Sequence, residues 1–367
     1  MSAQSIAMTR LDSGQVDAPE LKVVLVGCGG FARNYLPVYR ALPGVRVVAC
    51  VDSEAEAARA MAERLGVALA TVDFAAAVDA DADYAVVSTP NFLHQEQAGA
   101  LLRSGKHVLL QKPMARTLAE AKALFSMQRA SRRTMGLYMS MLDFGFWWEL
   151  REACANNSPL GRIAQVSMRL GHTGGLLWSK QPNQLWRFSR EKTGGGAFIM
   201  LGVHYIHFLR WLLGLRIQRV LAQAANLHCD RIEGEDICQV QGEMDNGGFV
   251  QLSVAWNSQG EHLALYGTEG SLVYLDNELV RVHGTTPWRT SQFAYEKPGT
   301  WQSFAGVAPP KLDDPANPYN QHRAFAEAIR VAAAPAVEAI EGLWDMQVAD
   351  AVYRSASSGR WETVADA

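Results

Sequence analysis

A glycine-rich turn near the start of the chain constrains its fold more than any other feature. Val26-Gly27-Cys28-Gly29-Gly30-Phe31-Ala32 follows the apolar run Val23–Val26 and precedes Asn34-Tyr35-Leu36-Pro37-Val38-Tyr39, which reads as a helix. A second apolar run, Val45–Val51, ends at Asp52, twenty residues past Ala32. The order is strand, tight turn, helix, strand, carboxylate. Gly27 permits the turn, Gly29 lets the backbone approach a pyrophosphate with Gly30 and Phe31 beside it, and the small Ala32 lets the helix pack close to the strand. The helix N-terminus offers N–H groups to phosphates, and Asp52, with Ser53 next to it, can accept hydrogen bonds from ribose hydroxyls. A carboxylate there repels a 2′-phosphate and Ser53 brings no guanidinium to offset it, which points to NAD rather than NADP. An ordinary βα turn is the competing reading; the flanking strands, the spacing and the acid together favour the dinucleotide.

A chain of 367 residues is long enough for two domains. Its net charge of −3 supplies no basic field, which argues against nucleic acid as a partner. The five cysteines (Cys28, Cys50, Cys154, Cys229, Cys238) are scattered, odd in number and without CxxC spacing, as suits reduced thiols in a cytoplasmic protein. Residues 1–20 read as a polar tail, with no apolar core of signal-peptide length. The longest apolar stretch, Ala197–Leu215, contains His204, His207 and Arg210, which a membrane span tolerates badly, so it reads as a buried helix and no membrane partner is expected.

The overall reading is α/β: an N-terminal Rossmann domain over 21–142, then an α+β domain over 143–367 with a largely antiparallel open sheet. In the first part, Val23–Val26, Val45–Val51, Tyr84–Ser88 and His107–Leu110 read as strands buried on both faces, alternating with helices at Glu54–Leu65, His94–Arg103 and Leu118–Arg129. Gly66, Gly105 and Gly136 sit where C-terminal helix caps are expected. In the second, strand-like runs at Ile163–Leu170, Val220–Ala225, Ile237–Met244, Phe249–Trp256, His262–Tyr266, Leu272–Leu275 and Leu279–Val282 are separated by turn signals such as Asp245-Asn246-Gly247-Gly248. A helix at Ala197–Leu213 interrupts them. Residues 285–318 read as an irregular excursion, and helices at Tyr319–Ala332 and Ala336–Ser355 close the chain.

Three further clusters carry candidate chemistry. Ser88-Thr89-Pro90-Asn91-Phe92-Leu93-His94 lies at the carboxyl end of a strand, where ligands of open α/β sheets sit, with Pro90 ending the strand and Asn91 placed to cap the next helix. A plain strand-to-helix turn is the alternative. Gln111-Lys112-Pro113 follows a buried strand, so Lys112 can be poised by desolvation to move a proton, or can simply pair with a carboxylate. In Gly194–His207, helical spacing aligns Met200, His204, His207 and Trp211 on one face, with His204 the natural acid/base. A satisfied core histidine is the competing reading. His204 and His207 have metal-binding spacing, but no third ligand is evident and no metal is expected.

With these clusters, the chain resembles the Gfo/Idh/MocA family of glucose–fructose oxidoreductase and inositol dehydrogenase, from Lys22 to about Val364. Gly27–Ala32, Thr89–His94, Gly105-Lys106-His107-Val108, Gln111-Lys112-Pro113, Trp186-Arg187, Gly194–His204, Gly267-Thr268-Glu269-Gly270, Asn317-Pro318-Tyr319 and Ser355–Gly359 carry the likeness. The resemblance implies an NAD(P)-dependent oxidoreductase of sugars, cyclitols or related small molecules. It implies Lys112 as catalytic lysine and His204 as the histidine that shuttles the substrate hydroxyl proton. Thr89, Pro90, Asn91, His94, Gln111 and Lys112 would line the cofactor; Trp186 and Arg187 would contact cofactor or substrate, and with them Met200, His204 and His207 would face the substrate. It further implies a homodimer or homotetramer formed through the C-terminal sheet. Three departures stand out. Gln111 replaces the glutamate before the lysine, Met200 and His207 replace aspartates of the histidine motif, and Tyr138–Asp143 lacks the usual arginine. A dinucleotide-binding sensor or assembly protein, or a reductase of a non-sugar carbonyl or imine, therefore remains beside the sugar dehydrogenase.

Overall fold

The computed structural model describes residues 19–155, 158–276, 278–305, 314 and 317–365, so the polar tail lies almost wholly outside the described residues. Six parallel strands form the first sheet, in the order β3-β2-β1-β4-β5-β6. They are β1 (Leu21–Val26), β2 (Val45–Val51), β3 (Leu69–Thr71), β4 (Tyr84–Val87), β5 (His107–Gln111) and β6 (Met135–Tyr138). Helices α1 (Leu36–Ala41), α2 (Ala55–Leu65), α3 (Ala75–Asp79), α4 (His94–Arg103) and α5 (Leu118–Ser131) connect them. Val23 and Val24 point to opposite faces of β1 and both are fully buried, which is why the strand is a continuous apolar run. The strand order reverses between β1 and β4, and the crevice beyond their carboxyl ends is where such a sheet takes a ligand.

Three local expectations are corrected. The helix after the glycine turn starts as a 3-10 turn, Ala32–Tyr35, and becomes α-helical at Leu36 with Pro37 in its first turn. Gly136 caps no helix: it lies within β6, where a Cβ would stand 3.0 Å from the Phe325 ring, and Arg132 in the left-handed region ends α5 instead. Asn91 opens a short 3-10 turn without capping it, and its side chain reaches across the molecule.

The rest of the chain builds a nine-stranded sheet, antiparallel except between β7 and β10. In chain order it comprises α6 (Gly145–Ala155), β7 (Ile163–Gly171), α7 (Gly174–Trp178), α8 (Arg190–Thr193), α9 (Val203–Leu213), β8 (Ile217–Ala225), β9 (Ile237–Met244), β10 (Phe249–Ala255), β11 (Gly260–Gly267), β12 (Gly270–Leu275) and β13 (Leu279–Gly284). The stretch expected to be irregular holds a small hairpin, β14 (Trp288–Arg289) with β15 (Ala294–Tyr295), and an edge strand, β16 (Gln302–Ala305). Then come α10 (Gln321–Arg330), α11 (Ala339–Ser358) and β17 (Glu362–Thr363). Along β9, Cys238 and Val240 are buried while Gln239 and Gln241 face solvent, the alternation of a sheet covered on one side.

The last two helices tie the sheets together. Phe325 of α10 packs edge-on against Tyr84 of β4, and Gly342 of α11 lets Leu137 of β6 come so close that a Cβ would meet it at 2.0 Å. On its other side α11 reaches β8, where the Ser355 hydroxyl accepts from the Ala222 N–H at 2.9 Å. The segment Arg190–Leu213 is long and apolar enough to cross a bilayer by composition, yet 83% of its most apolar window is buried inside the protein.

Candidate active site

The glycine turn sits on the crevice with its backbone bared. Gly27 has φ +90°, and a Cβ there would stand 2.7 Å from the Ser88 carbonyl carbon, so only glycine fits between β1 and the end of β4. At Gly29 and Gly30 an added Cβ would meet nothing within 4 Å, leaving open space over the backbone. Asp52 is pinned below the turn: Oδ2 accepts from the Cys28 N–H at 2.7 Å and Oδ1 from the Glu54 N–H at 2.9 Å. Each oxygen keeps a lone pair for a further donor, such as a ribose hydroxyl. Ser53 is exposed beside it, Ala32 is buried, and Phe31 meets Tyr138 edge-on at 6.0 Å. Open space above the glycines and an anchored carboxylate fit a dinucleotide. The Cys28 thiol, against Cys50 and buried, has its pKa pushed far up and is inert.

His94 sits between the carboxyl ends of β4 and β5. Its Nδ1 lies 2.8 Å from the Pro113 carbonyl oxygen and its Nε2 2.9 Å from that of Thr89, and the neutral ring, with one N–H, donates to one of the two. Burial pulls its pKa down to about 4. Pro90 ends β4 and follows Thr89, whose hydroxyl donates to Gln97 Oε1 at 2.7 Å. Asn91 Nδ2 donates to the Thr193 carbonyl at 2.8 Å, while its buried Oδ1 has no partner among the described residues.

Lys112 leaves the end of β5 and donates from Nζ to the Met200 carbonyl oxygen at 2.7 Å. Burial, helped by the charge of Arg187, lowers its pKa to about 7. Gln111 Oε1 accepts from the Lys112 backbone N–H at 3.2 Å, and its Nε2 is buried without a partner among the described residues. Met200 belongs to a π-helical turn, Phe198–Gly202, that leads into α9. The wider turn breaks the expected 3.6-residue spacing between Met200 and His204, whereas His204, His207 and Trp211 all lie within α9.

The two histidines part company. His204 Nδ1 is buried without a partner among the described residues, and burial, then Lys112 and His207, hold its pKa well below the ordinary value. His207 turns to α11, its Nδ1 3.1 Å from Asp345 Oδ2 and 3.1 Å from Arg210 Nη2, while Arg210 Nη1 pairs with Asp345 Oδ1 at 2.8 Å. The Gly194–Gly196 run approaches protein: a Cβ on Gly195 would meet the Tyr353 hydroxyl at 1.9 Å and one on Gly196 the Glu235 carbonyl at 2.0 Å. Glu235, not singled out by the sequence reading, accepts from the Gly196 and Phe198 N–H groups at 3.0 and 2.8 Å and seats the start of the π-turn.

Trp186 and Arg187 close the other side. The Arg187 guanidinium lies 4.6 Å from the Trp186 ring and 4.9 Å from that of Trp178, its Nε donates to Gln184 Oε1 at 2.6 Å, and burial lowers its pKa to about 10. Trp186 meets Phe92 edge-on at 6.4 Å, which brings this segment to the end of β4. His172, just past β7, is a residue the sequence reading missed. Its Nδ1 accepts from the Gly174 N–H at 2.9 Å, its ring lies 5.2 Å from Trp178, and burial, Lys112 and Arg187 lower its pKa. A lone histidine between a strand and a short helix has no periodicity to mark it. Among the described residues, no three His, Cys, Asp or Glu side chains gather in a metal-holding group.

Two family profiles match the chain: an oxidoreductase family with an NAD-binding Rossmann fold over residues 21–138, and the GFO/IDH/MocA C-terminal domain over 147–273. The chain belongs to the Gfo/Idh/MocA family. Among its relatives, the 1,5-anhydro-D-fructose reductase of Ensifer adhaerens is 27% identical over 341 residues, covering 92% of this chain and 96% of that one. The levoglucosan dehydrogenase of Pseudarthrobacter phenanthrenivorans is 30% identical over 301 residues, covering 69% and 73%. The aldose-aldose oxidoreductase of Caulobacter crescentus, solved with glycerol, shares the fold with a TM-score of 0.78 at 23% identity, covering 94% of this chain and 99% of that one.

As a Gfo/Idh/MocA protein the chain is an NAD-binding oxidoreductase, and its departures from the family pattern take physical form here. Gln111 and Met200 are neutral where the family resemblance has acids. Asp143 does not stand in for them: it is fully buried, accepts from the Tyr138 hydroxyl at 2.7 Å and the Gln321 N–H at 2.9 Å, and burial raises its pKa to about 6. His207 does not either, being held by Asp345.

Proposed function

We propose that this chain is an NAD-dependent dehydrogenase or reductase of a sugar-like molecule, with Lys112 and His204 handling the proton of the reacting oxygen. The observation that carries the reading is Lys112, half-buried at the switch-point crevice, anchored on the Met200 carbonyl and brought to a pKa of about 7. The relatives named 1,5-anhydro-D-fructose reductase and levoglucosan dehydrogenase support a sugar-type substrate.

Gly29 and Gly30 would bring the backbone to the pyrophosphate, and Asp52 would take the ribose hydroxyls. Bound there, NAD supplies the hydride acceptor, or as NADH the donor, at C4 of its nicotinamide. Neutral Lys112 accepts the proton of a substrate hydroxyl, and protonated Lys112 returns it to a carbonyl in the reverse direction. His204, held neutral, offers Nδ1 as a hydrogen-bond partner for the same oxygen. His94, buried between the Thr89 and Pro113 carbonyls and bonded to one of them, packs against the backbone beside Lys112.

Five free cysteines without a disulfide support a reducing, cytoplasmic setting. A screen of polyols, sugars and ketones with NAD and NADH tests the reading. Turnover that drops about 10²- to 10⁴-fold in Lys112→Ala and in His204→Ala supports it. Full activity in both variants overturns it.

A further inference from the structure

Lys112 hangs from one backbone atom. Among the described residues, the acceptor of its Nζ is the Met200 carbonyl oxygen at 2.7 Å. A general acid or base must stay within about 3 Å of the proton it moves, and a displacement of about 1 Å can cost about 100-fold in rate. Whatever fixes the Met200 carbonyl therefore fixes the amine.

A helix leaves its first N–H groups without partners of its own. At the head of the π-turn, four successive N–H groups find theirs in two residues. Gly196 donates to both oxygens of the Glu235 carboxylate at 3.0 Å, Ala197 to the Glu235 carbonyl at 2.8 Å and Phe198 to Glu235 Oε1 at 2.8 Å. Ile199, the residue before Met200, donates to the Tyr353 hydroxyl at 3.1 Å, and that hydroxyl donates to Glu235 Oε1 at 3.0 Å. Both holders are rooted outside the turn: Glu235 stands two residues before β9, and Tyr353 lies on α11. The path from Glu235 through Tyr353, Ile199 and Met200 to Lys112 is unbroken, each link a hydrogen bond or the chain itself.

We propose that Glu235 and Tyr353 are positioning residues for Lys112: by holding the N–H groups of residues 196–199 they fix the Met200 carbonyl, and with it the place of the amine at the crevice. The proposal rests on the reading of Lys112 as the proton carrier of the dehydrogenase. Neither Glu235 nor Tyr353 moves a proton in it. Loosening the turn takes the amine out of reach of the substrate oxygen and lowers kcat. It also moves the amine's protonation midpoint, since an ammonium gains more from an oxygen acceptor than a neutral amine does. Arg187, His172 and His204 are the charged and titratable groups coupled to the amine, and the substitutions that test the proposal leave all three in place.

Tyr353→Phe makes the test without changing a charge: it strips the Ile199 N–H of its acceptor and Glu235 of a donor. Glu235→Gln, nearly the same shape, replaces one accepting oxygen by a donor. Ser355→Ala is the control, because it removes a buried hydroxyl from the same helix at its bond to Ala222. In the first two, kcat is expected to fall about 10- to 100-fold with KM for NAD little changed; in Ser355→Ala both stay near the native values. The Lys112 midpoint is read without any substrate, from the pH dependence of its acetylation by acetic anhydride and mass spectrometry of its peptide. In Tyr353→Phe it is expected to fall from about 7 by about half a pH unit or more. A rise of that size marks escape of the amine to water and is equally a displacement. An unmoved midpoint in Tyr353→Phe, or the same losses in Ser355→Ala, overturns the proposal. Where a melting curve shows that Glu235→Gln does not fold, Tyr353→Phe carries the test alone. A moved midpoint in Tyr353→Phe, beside a fully active Lys112→Ala, keeps the positioning and sinks the dehydrogenase mechanism. An unmoved one, beside an inactive Lys112→Ala, sinks the positioning alone.

Discussion

Lys112 Nζ donates to the carbonyl oxygen of Met200 at 2.7 Å, across eighty-eight residues of sequence. The backbone of the π-turn, not a side-chain acid, anchors the amine, so the side chain at position 200 can be a thioether. The same bond joins the end of the parallel sheet to the segment that carries His204.

A lysine lowered to about 7 by burial titrates within the working range. Oxidation of a hydroxyl needs its neutral form, so kcat/KM for oxidation is expected to rise with pH and level off above about 7. Reduction of a carbonyl needs the protonated form and is expected to fall over the same range. His204, held well below its ordinary value, should add no limb near pH 6. Steady-state profiles in both directions check this, and a flat profile from pH 5 to 9 contradicts it.

Glycines of the two runs should respond in opposite ways to alanine. Gly29→Ala adds a methyl group to open space and is expected to leave the melting temperature nearly unchanged while weakening NAD binding about tenfold or more. Gly195→Ala drives a methyl group onto Tyr353 and is expected to destabilise by about 1–3 kcal/mol. Thermal melts and NADH fluorescence titration measure both.

Removing the carboxylate of Asp52 takes away the acceptor for the Cys28 and Glu54 N–H groups as well as the ribose contact. Asp52→Ala should therefore lose about 1–3 kcal/mol of stability and bind NAD more weakly, through the same substitution. Binding loss without any change in denaturant midpoint would show that the acid has no part in holding the turn.

Burial raises Asp143 to about 6, so the folded state binds its proton more tightly than the unfolded chain does. The sign follows: its contribution to stability is present at low pH and is lost as pH climbs from about 4 through about 6, with no further loss above. Relative to Asp143→Asn, the native protein should lose about 2–3 kcal/mol across that window. Urea titrations of both proteins at pH 4, 5, 6 and 7 measure the difference.

Much of the architecture was legible in local patterns. The limits of α4 and β9 coincide with the runs read from the sequence, because alternation and helical periodicity record which face is buried. The turn at Gly27–Gly30 with Asp52 was legible because its parts lie within one βαβ unit and its spacing is set by that unit's geometry. Gly136 misled because a glycine after a helix suggests a cap, while here it makes room for Phe325 from the far end of the chain.

What the sequence by itself determined is therefore the parallel half, the cofactor turn and the candidacy of Lys112 and His204. Tertiary structure alone decided that His207 belongs to Asp345, that the glycine run serves Glu235 and Tyr353, and that His172 joins Lys112 and Arg187. The reason is the range of the forces involved. Periodicity encodes burial within an element, whereas a pKa or a shared carbonyl depends on groups that only the folded chain brings within a few ångströms.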